Sequence, residues 1–521
     1  MKIENFRGIK KLEHHFGNTN FVCLVGRGDS GKTTILDAIA CLFSSRWNLT
    51  FYDTDFYNLN IEANIKVSAC VTDIPENLLL EDKFGLFICG CSKDGKEIHD
   101  EITDEDEKAL WINLEVAKDL EPRWYVANPR NNDEKILSAA DREKFSVNLI
   151  SDSIDRHFSW NKGNPLYSIY RTQENGKESN NSFTEVIRQT KSEIDKLPFA
   201  QFAELSKNIQ EKANGLGSEI GELSTKIDFR DIIIKDGKVS LHNENIPLSL
   251  SGKSTKRLLS VAIQLSTVNG KGIILIDEIE QGLEPDRVQF LVSELKKNNS
   301  FQIFITTHSR SVVTELDFSE IFMLRKNLQS LFEFSPQLQN ILRKVPEFVF
   351  AKKIIVCEGK TELGFLRAFN DYMINTLKMN LAHKGIVMVY GEGSNMLKDV
   401  CKIKECGFDV ALFCDADRDL RTLDDLKLKG IKIIKWEVGD NIEMAICKSL
   451  NLKTAEKFLN FLENIVIEQK SMKKESFRKN LKNKLGVWGI TQDPFENLEI
   501  ITPEFQKGLS EYIIELSVFK S

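Results

Sequence analysis

The sequence predicts an α/β protein in two parts: a nucleotide-binding sheet that carries a helical insertion, then a smaller parallel sheet covered by helices. Three observations predict it. A glycine-rich loop of phosphate-binding spacing lies between an apolar strand and a helix near the start. Two further apolar strands, beyond residue 270, end in residues suited to phosphate chemistry. After residue 350, apolar strands alternate with helices at the spacing of a parallel sheet.

Residues 2–25 read as two strands around a turn at Phe16-Gly17-Asn18. Next comes Gly26-Arg27-Gly28-Asp29-Ser30-Gly31-Lys32-Thr33, which fits G-x-x-x-x-G-K-[ST]. The buried run Phe21–Val25 precedes it and a helix to about Phe43 follows, which is the context this motif requires. Glycines let the backbone wrap close to phosphate, and the loop N–H groups and helix N-terminus face the anion. Gly26, Gly28, Asp29, Ser30, Gly31, Lys32, Thr33 and Thr34 are the expected nucleotide contacts. Lys32 would reach the β/γ-phosphates and Thr33 would hold Mg²⁺. Residues about 60 to 130 read as a β-rich block, with strands at 64–72, 85–91, 111–116 and 124–127 and a solvated acidic loop over 100–108. From about 137 to 225, the segments 182–196 and 199–223 have helical apolar spacing and many charges. They predict a helical subdomain, with a projecting coiled-coil arm as the alternative.

The nucleotide fold resumes at Ser249-Leu250-Ser251-Gly252, ahead of an apolar helix; Ser251 and Gly252 at a helix N-terminus can face phosphate. The buried strand over 272–276 then ends in Asp277 and Glu278. Asp277 is expected to hold Mg²⁺ and Glu278 to polarise the attacking water, since carboxylates ending a buried strand are costly unless paired or metal-bound. The run 302–309 reads as another buried strand, ending in His308, placed to contact a γ-phosphate.

Composition bounds these readings. The 521 residues suggest about three domains. With 41% hydrophobic and 28% charged residues, the chain is of ordinary globular type. The net charge is −7, from 70 Lys+Arg against 77 Asp+Glu, so nucleic-acid binding must come from local basic patches or bridging metals. Ten cysteines without a C-x-x-C pair argue against a zinc ribbon or disulfide framework and for a reducing, cytoplasmic setting. No apolar signal core or run of transmembrane length occurs, so no membrane association is expected.

Motif order adds a resemblance. Phosphate loop, Ser-Gly helix start, Asp-Glu strand end and strand-end His together resemble the ATP-binding cassette ATPases of the RecF/SMC type. The resemblance implies a homodimer or higher even-numbered homo-oligomer, in which Ser251 and Gly252 of one subunit complete the ATP site of another. Two departures stand out: Lys253 and Ser254 replace the family's usual second Gly and Gln, and no glutamine ends a strand where the family places its Q-loop.

Beyond a linker helix over 336–350, strands are expected at 353–357, 385–389, 410–414 and 430–435. Glu358 ends the first and Asp415 and Asp417 end the third, with Glu362 and Glu443 as neighbours. Acids gathered at the C-terminal rim of a parallel sheet repel one another unless cations compensate, and an all-oxygen donor set suits Mg²⁺ or Mn²⁺. The Glu-Gly and Asp-x-Asp strand ends resemble the Toprim signature. A cassette ATPase over 1–335 (insertion about 137–228), a 336–350 linker and a Toprim domain with a C-terminal helical region over 351–521 together resemble the overcoming-lysogenization-defect (OLD) family. Trp124, Arg142 and Phe158-Ser159-Trp160 fit it as well. The resemblance implies an ATP-regulated, metal-dependent DNA endonuclease or nickase in anti-phage defence, with DNA and a second defence component as partners. It also implies a catalytic lysine late in the chain, and the Lys/Arg-dense segment Lys473–Lys484 is where it would fall.

Overall fold

A computed structural model describes residues 1–46, 48–100, 102–128, 131–151, 154–158, 164–166, 169, 207, 241–243, 246–267, 271–298, 300–325, 330–391, 396–414, 420–437, 440–495 and 502–516. The chain forms two compact units. One holds 1–6, 15–21 and 33–306; the other holds 7–14, 22–32 and 307–521. The expected helical segments 182–196 and 199–223 lie outside the described residues.

The first unit contains an antiparallel sheet. Lys2–Phe6 pairs with Ile65–Val71, which pairs with Glu107–Val116, and that strand pairs with Pro122–Asn128. Alternate residues Ile112, Leu114 and Val116 are buried, the pattern of a sheet wetted on one side. Arg142 is 3% exposed; its guanidinium lies 3.8 Å from the Trp124 ring centroid and donates to the carbonyls of Ser44 (2.6 Å) and Leu137 (2.6 Å). Trp124 Nε1 donates to Cys41 O at 3.2 Å. The end of the helix Lys32–Leu42 is therefore clamped to the antiparallel sheet. A parallel set, Val147–Ile150, Ile273–Ile276 and Gln302–Thr306, lies in the same unit. Ile273–Ile276 is wholly aliphatic and Ile303, Phe304 and Ile305 are buried, as central strands covered on both faces must be.

In the second unit Cys23–Val25 pairs in parallel with Ile321–Met323, and Ile321–Arg325 pairs antiparallel with Ser330–Glu333. A separate four-stranded parallel sheet has the order Ile386–Tyr390, Lys353–Cys357, Asp409–Cys414, Lys432–Lys435. The helices Ile442–Lys448, Leu452–Lys470, Lys474–Val487 and Pro503–Leu516 follow, and Leu459, Leu462, Phe477, Leu481, Phe505 and Leu509 form a core of their own.

Three expectations change. The first segment holds three strands, because Ile9–Glu13 is separated from Lys2–Phe6 by a turn at Arg7-Gly8, with Arg7 at φ 46°. Gly85–Phe87 is a 3-10 turn and only Cys89–Cys91 is strand; a Cβ at Gly85 would meet backbone atoms of Leu79 and Leu80 within 3.1 Å. Residues 336–350, expected as one linker helix, form three short helices, Pro336–Leu338, Gln339–Lys344 and Pro346–Phe350, and bury Leu338, Leu342, Phe348 and Val349.

Candidate functional site

In the phosphate loop, the buried strand Phe21–Val25 delivers Gly26, whose φ of 149° suits glycine. A Cβ there would lie 2.5 Å from Leu324 O, so the loop runs against the strand Ile321–Arg325 with no room for a side chain. Asp29 (φ 57°) and Gly31 (φ 106°) complete the left-handed turns that wrap the loop. Lys32 is 5% exposed, and its Nζ donates to the carbonyls of Gly26 (3.1 Å) and Arg27 (3.0 Å), which fixes the ammonium inside the loop. The neighbouring Arg27 reaches away from the loop, and its Nη1 donates to Phe350 O at 3.3 Å. The ring of His308 lies 6.1 Å from that of Phe350.

In the first unit, Thr33 Oγ1 donates to Asp277 Oδ1 at 3.2 Å, and Thr306 Oγ1 donates to the same oxygen at 2.6 Å. Three oxygens thus converge at the end of Ile273–Ile276, a donor set that suits a hard divalent cation. Glu278 is exposed and has φ 46°, a left-handed conformation that a non-glycine residue adopts only at a cost. Its backbone N–H donates to Thr306 Oγ1 at 2.8 Å. Its carbonyl accepts from Arg257 Nη2 at 3.0 Å, and the same Nη2 also donates to the Asp277 carbonyl.

Sequence reasoning missed Arg257. It is 1% exposed and belongs to the helix Lys253–Thr267 that begins just after Ser251 and Gly252. One side chain therefore ties the Ser-Gly helix to both strand-end acids. The available signal was a cation among the apolar positions of a helix. Ser251 is half-buried, its N–H donating to Leu248 O at 3.0 Å, while Gly252 is exposed with nothing within 4 Å of where a Cβ would stand. Leu250 beside it is 75% exposed. Thr34 lies in the helix Lys32–Leu42.

In the four-stranded sheet, Glu358 follows the inner strand Lys353–Cys357, and its N–H donates to Phe413 O at 2.9 Å. The chain leaves this strand for one side of it, then returns to the other side with Asp409–Cys414. The crossovers thus reverse between these two strands, where an open α/β sheet forms its ligand crevice. Glu358 stands at that reversal, and Cys414 leads directly into Asp415. Asp415 and Asp417 lie outside the described residues. Glu362 is 5% exposed and its Oε2 accepts the Gly359 N–H at 2.8 Å, bracing the turn after Glu358. Burial, aided by the Glu362 charge, pushes the Cys357 thiol up to about 12. Glu443 is buried in the first turn of Ile442–Lys448, which Asn441 caps by accepting from Met444 N. Among the described residues no three His, Cys, Asp or Glu gather as a metal site.

In the Lys/Arg-dense segment, Arg478 and Lys474 pair with Glu463 at 2.5 and 3.0 Å, and Lys484 pairs with Glu511 and Glu515. All ten cysteines are free, and among the described residues no helix is long and apolar enough to cross a membrane.

Residues 21–314 match the family described as "AAA domain, putative AbiEii toxin, Type IV TA system". The chain belongs to this ATPase family. Residues 349–417 match the "Overcoming lysogenization defect protein-like, TOPRIM domain", so the AAA ATPase domain is followed by an OLD-like TOPRIM domain. The chain is similar to "Retron Vc95 probable ATPase" of Vibrio cholerae, 24% identical over 375 residues that span 63% of this chain and 73% of the relative. It is also similar to "Retron Ec83 probable ATPase" of Escherichia coli, 32% identical over 103 residues, 18% of this chain and 19% of the relative. Among solved structures, the Smc head domain of Pyrococcus furiosus bound to the C-terminal domain of ScpA aligns with TM-score 0.35 and 14% identity, over 67% of this chain and 98% of that one.

Proposed function

We propose that the protein is an ATP-regulated, divalent-metal-dependent DNA endonuclease or nickase that serves in anti-phage defence in the cytoplasm. The observation that carries this reading is the position of Glu358, at the crossover reversal of the TOPRIM sheet beside the strand that runs on to Asp415 and Asp417.

In the ATPase, Lys32 neutralises the β/γ-phosphates, and the loop residues Gly26–Gly31 supply backbone N–H groups. Thr33 and Asp277 hold Mg²⁺, and their converging oxygens fit that ion. Bound there, Mg²⁺ supplies charge neutralisation at the phosphates. Glu278 takes the proton of the attacking water, and Thr306 and Arg257 keep its backbone in the conformation that presents the carboxylate. His308 contacts the γ-phosphate. The open face at Gly252, next to exposed Leu250, supports a composite site in which Ser251 and Gly252 serve the nucleotide of a second copy.

In the TOPRIM domain, Glu358, Asp415 and Asp417 hold Mg²⁺ or Mn²⁺ against the scissile phosphodiester of DNA, with Glu362 and Glu443 as flanking carboxylates. Nucleotide state reaches them through Phe350. Arg27 of the phosphate loop and His308 both touch it, and the first TOPRIM strand starts three residues later.

The test is plasmid nicking by the purified protein with Mg²⁺ or Mn²⁺, with and without ATP. Metal-dependent cutting that responds to ATP is the expected result. A second reading, a phage-sensing ATPase acting through a partner effector, is favoured by the relatives' names as retron ATPases. It becomes the better one if wild-type protein hydrolyses ATP but leaves DNA intact with either metal.

A further inference from the structure

A protein of net charge −7 repels a polyanion at long range, so a nucleic-acid substrate needs a local cationic surface. The Lys/Arg-dense segment is a poor source, since Lys474, Arg478 and Lys484 are already paired with glutamates of neighbouring helices. The TOPRIM part of the second unit holds a better one. A cleft of about 400 Å³ opens where Pro336–Leu338 and Gln339–Lys344 pack near Met396–Glu405. Lys344, Lys398 and Lys402 line it together with the amides of Gln337 and Asn340. Its floor is apolar, from Val356 and Val389, paired on adjacent strands. Among the described residues that line it, Asp399 is the one acid. Burial pushes that carboxyl up while the nearby Lys402 and Lys344 charges oppose the rise.

The cleft also has the right address. Gly391 lines it, and the Gly391 N–H donates to Cys357 O at 2.8 Å, one residue before Glu358. The cationic cleft and the acidic rim therefore share the C-terminal edge of one sheet. Lysine acts as a point charge toward phosphate, and two of them over an apolar floor suit a strand's backbone without reading its sequence.

We propose that this cleft holds the phosphate backbone of the nucleic-acid strand on one side of the scissile bond, with Lys398 and Lys402 against its phosphate oxygens. The position relative to cutting rests on the nuclease reading; the binding does not.

The experiment titrates full-length protein, in EDTA and without nucleotide, into a fluorescent single-stranded oligonucleotide at several salt concentrations. Lys398→Ala/Lys402→Ala should lower the slope of log affinity against log salt by about 1.4, since each phosphate contact on a single strand contributes about 0.7. Lys402→Glu should weaken binding further, and unchanged circular dichroism of both variants separates lost contacts from lost fold. Lys453→Ala/Lys457→Ala, at two exposed positions of Leu452–Lys470, should leave the slope as it is. An unchanged slope in the cleft variant, or the whole loss appearing in the Lys453/Lys457 variant, overturns the proposal. So does displacement of the oligonucleotide by AMP at equal concentration, which would mark a pocket for free nucleotides. A slope change in a protein that never cuts DNA upholds the cleft and removes the nuclease reading. Cutting by wild type with no slope change in the variant does the reverse.

Discussion

Asp277 and Glu278 end the strand Ile273–Ile276, and Glu358 ends the strand Lys353–Cys357, yet the two sets of acids are held differently. Around the first pair, Thr33, Thr306 and the buried Arg257 make five hydrogen bonds to side chain and backbone and hold Glu278 in a left-handed conformation. Glu358 is fixed to the sheet through its backbone N–H, which donates to Phe413 O. The first arrangement fixes geometry before any ligand arrives, as a water-polarising base would require. The second sets Glu358 at the end of an inner strand, where a cation would add to the order. Substitutions near the first set should therefore alter local geometry as well as chemistry, and those at the second should alter chemistry alone.

The largest effect should come from the phosphate loop. Lys32→Ala should abolish ATP binding, read by equilibrium dialysis with labelled ATP, because the one ammonium buried in the loop is lost. Glu278→Gln should keep binding and slow hydrolysis by about 10²–10⁴-fold, the range for a lost general base; hydrolysis at the wild-type rate would remove Glu278 from that role. Next comes Arg257→Lys, which keeps the charge but cannot reach both carbonyls from one planar group. It should slow hydrolysis by about 10-fold with ATP affinity retained, the size of one lost hydrogen bond of about 1.4 kcal/mol; equal losses in both would make Arg257 merely structural. Phe350→Ala tests the proposed route from the phosphate loop to the TOPRIM strand. It should reduce the ATP response of DNA cutting several-fold at an unchanged KM for ATP hydrolysis.

The smallest effect concerns stability of the C-terminal helices. Burial raises the Glu463 carboxyl, but hydrogen bonds and charge from Arg478 and Lys474 outweigh it and hold the group below its ordinary value of 4.5. A carboxyl depressed on folding stabilises above its unfolded pKa, and that contribution fades as the pH falls through the folded value. Glu463→Gln should therefore lower the unfolding midpoint at pH 7, and the difference from wild type should shrink as the pH falls below the ordinary value of 4.5 and through the depressed folded value. Arg478 and Lys474 are 37% and 57% exposed and can rehydrate, so the loss at pH 7 should stay near 2 kcal/mol.

Much of this was legible in the sequence because buried parallel strands are runs of apolar residues with sharp ends. Ile273–Ile276, Lys353–Cys357 and Asp409–Cys414 all fall within one residue of where those runs start and stop, while Gln302–Thr306 ends two residues before His308, which was read as its end. The antiparallel strands were harder, since Glu107–Val116 begins in two exposed charged residues that read as loop. Residues 336–350 read as one linker helix, whereas Pro336 and Pro346 each open a separate short helix and Leu338, Leu342 and Phe348 are buried. Arg257 and the left-handed Glu278 escaped for another reason: both are consequences of long-range contacts, and a local pattern carries no trace of them.

The central claim is that carboxylates at the TOPRIM rim cut DNA while the loop around Lys32 handles ATP. The most direct measurement is plasmid nicking and ATP hydrolysis on the same preparations of wild type, Glu358→Ala and Asp415→Ala, with Mg²⁺, Mn²⁺ or Ca²⁺. Wild type should nick with Mg²⁺ or Mn²⁺ and fail with Ca²⁺, whose looser coordination suits in-line displacement poorly. Both variants should lose nicking and keep wild-type ATP hydrolysis and thermal stability. Nicking by Asp415→Ala at the wild-type rate would contradict the account.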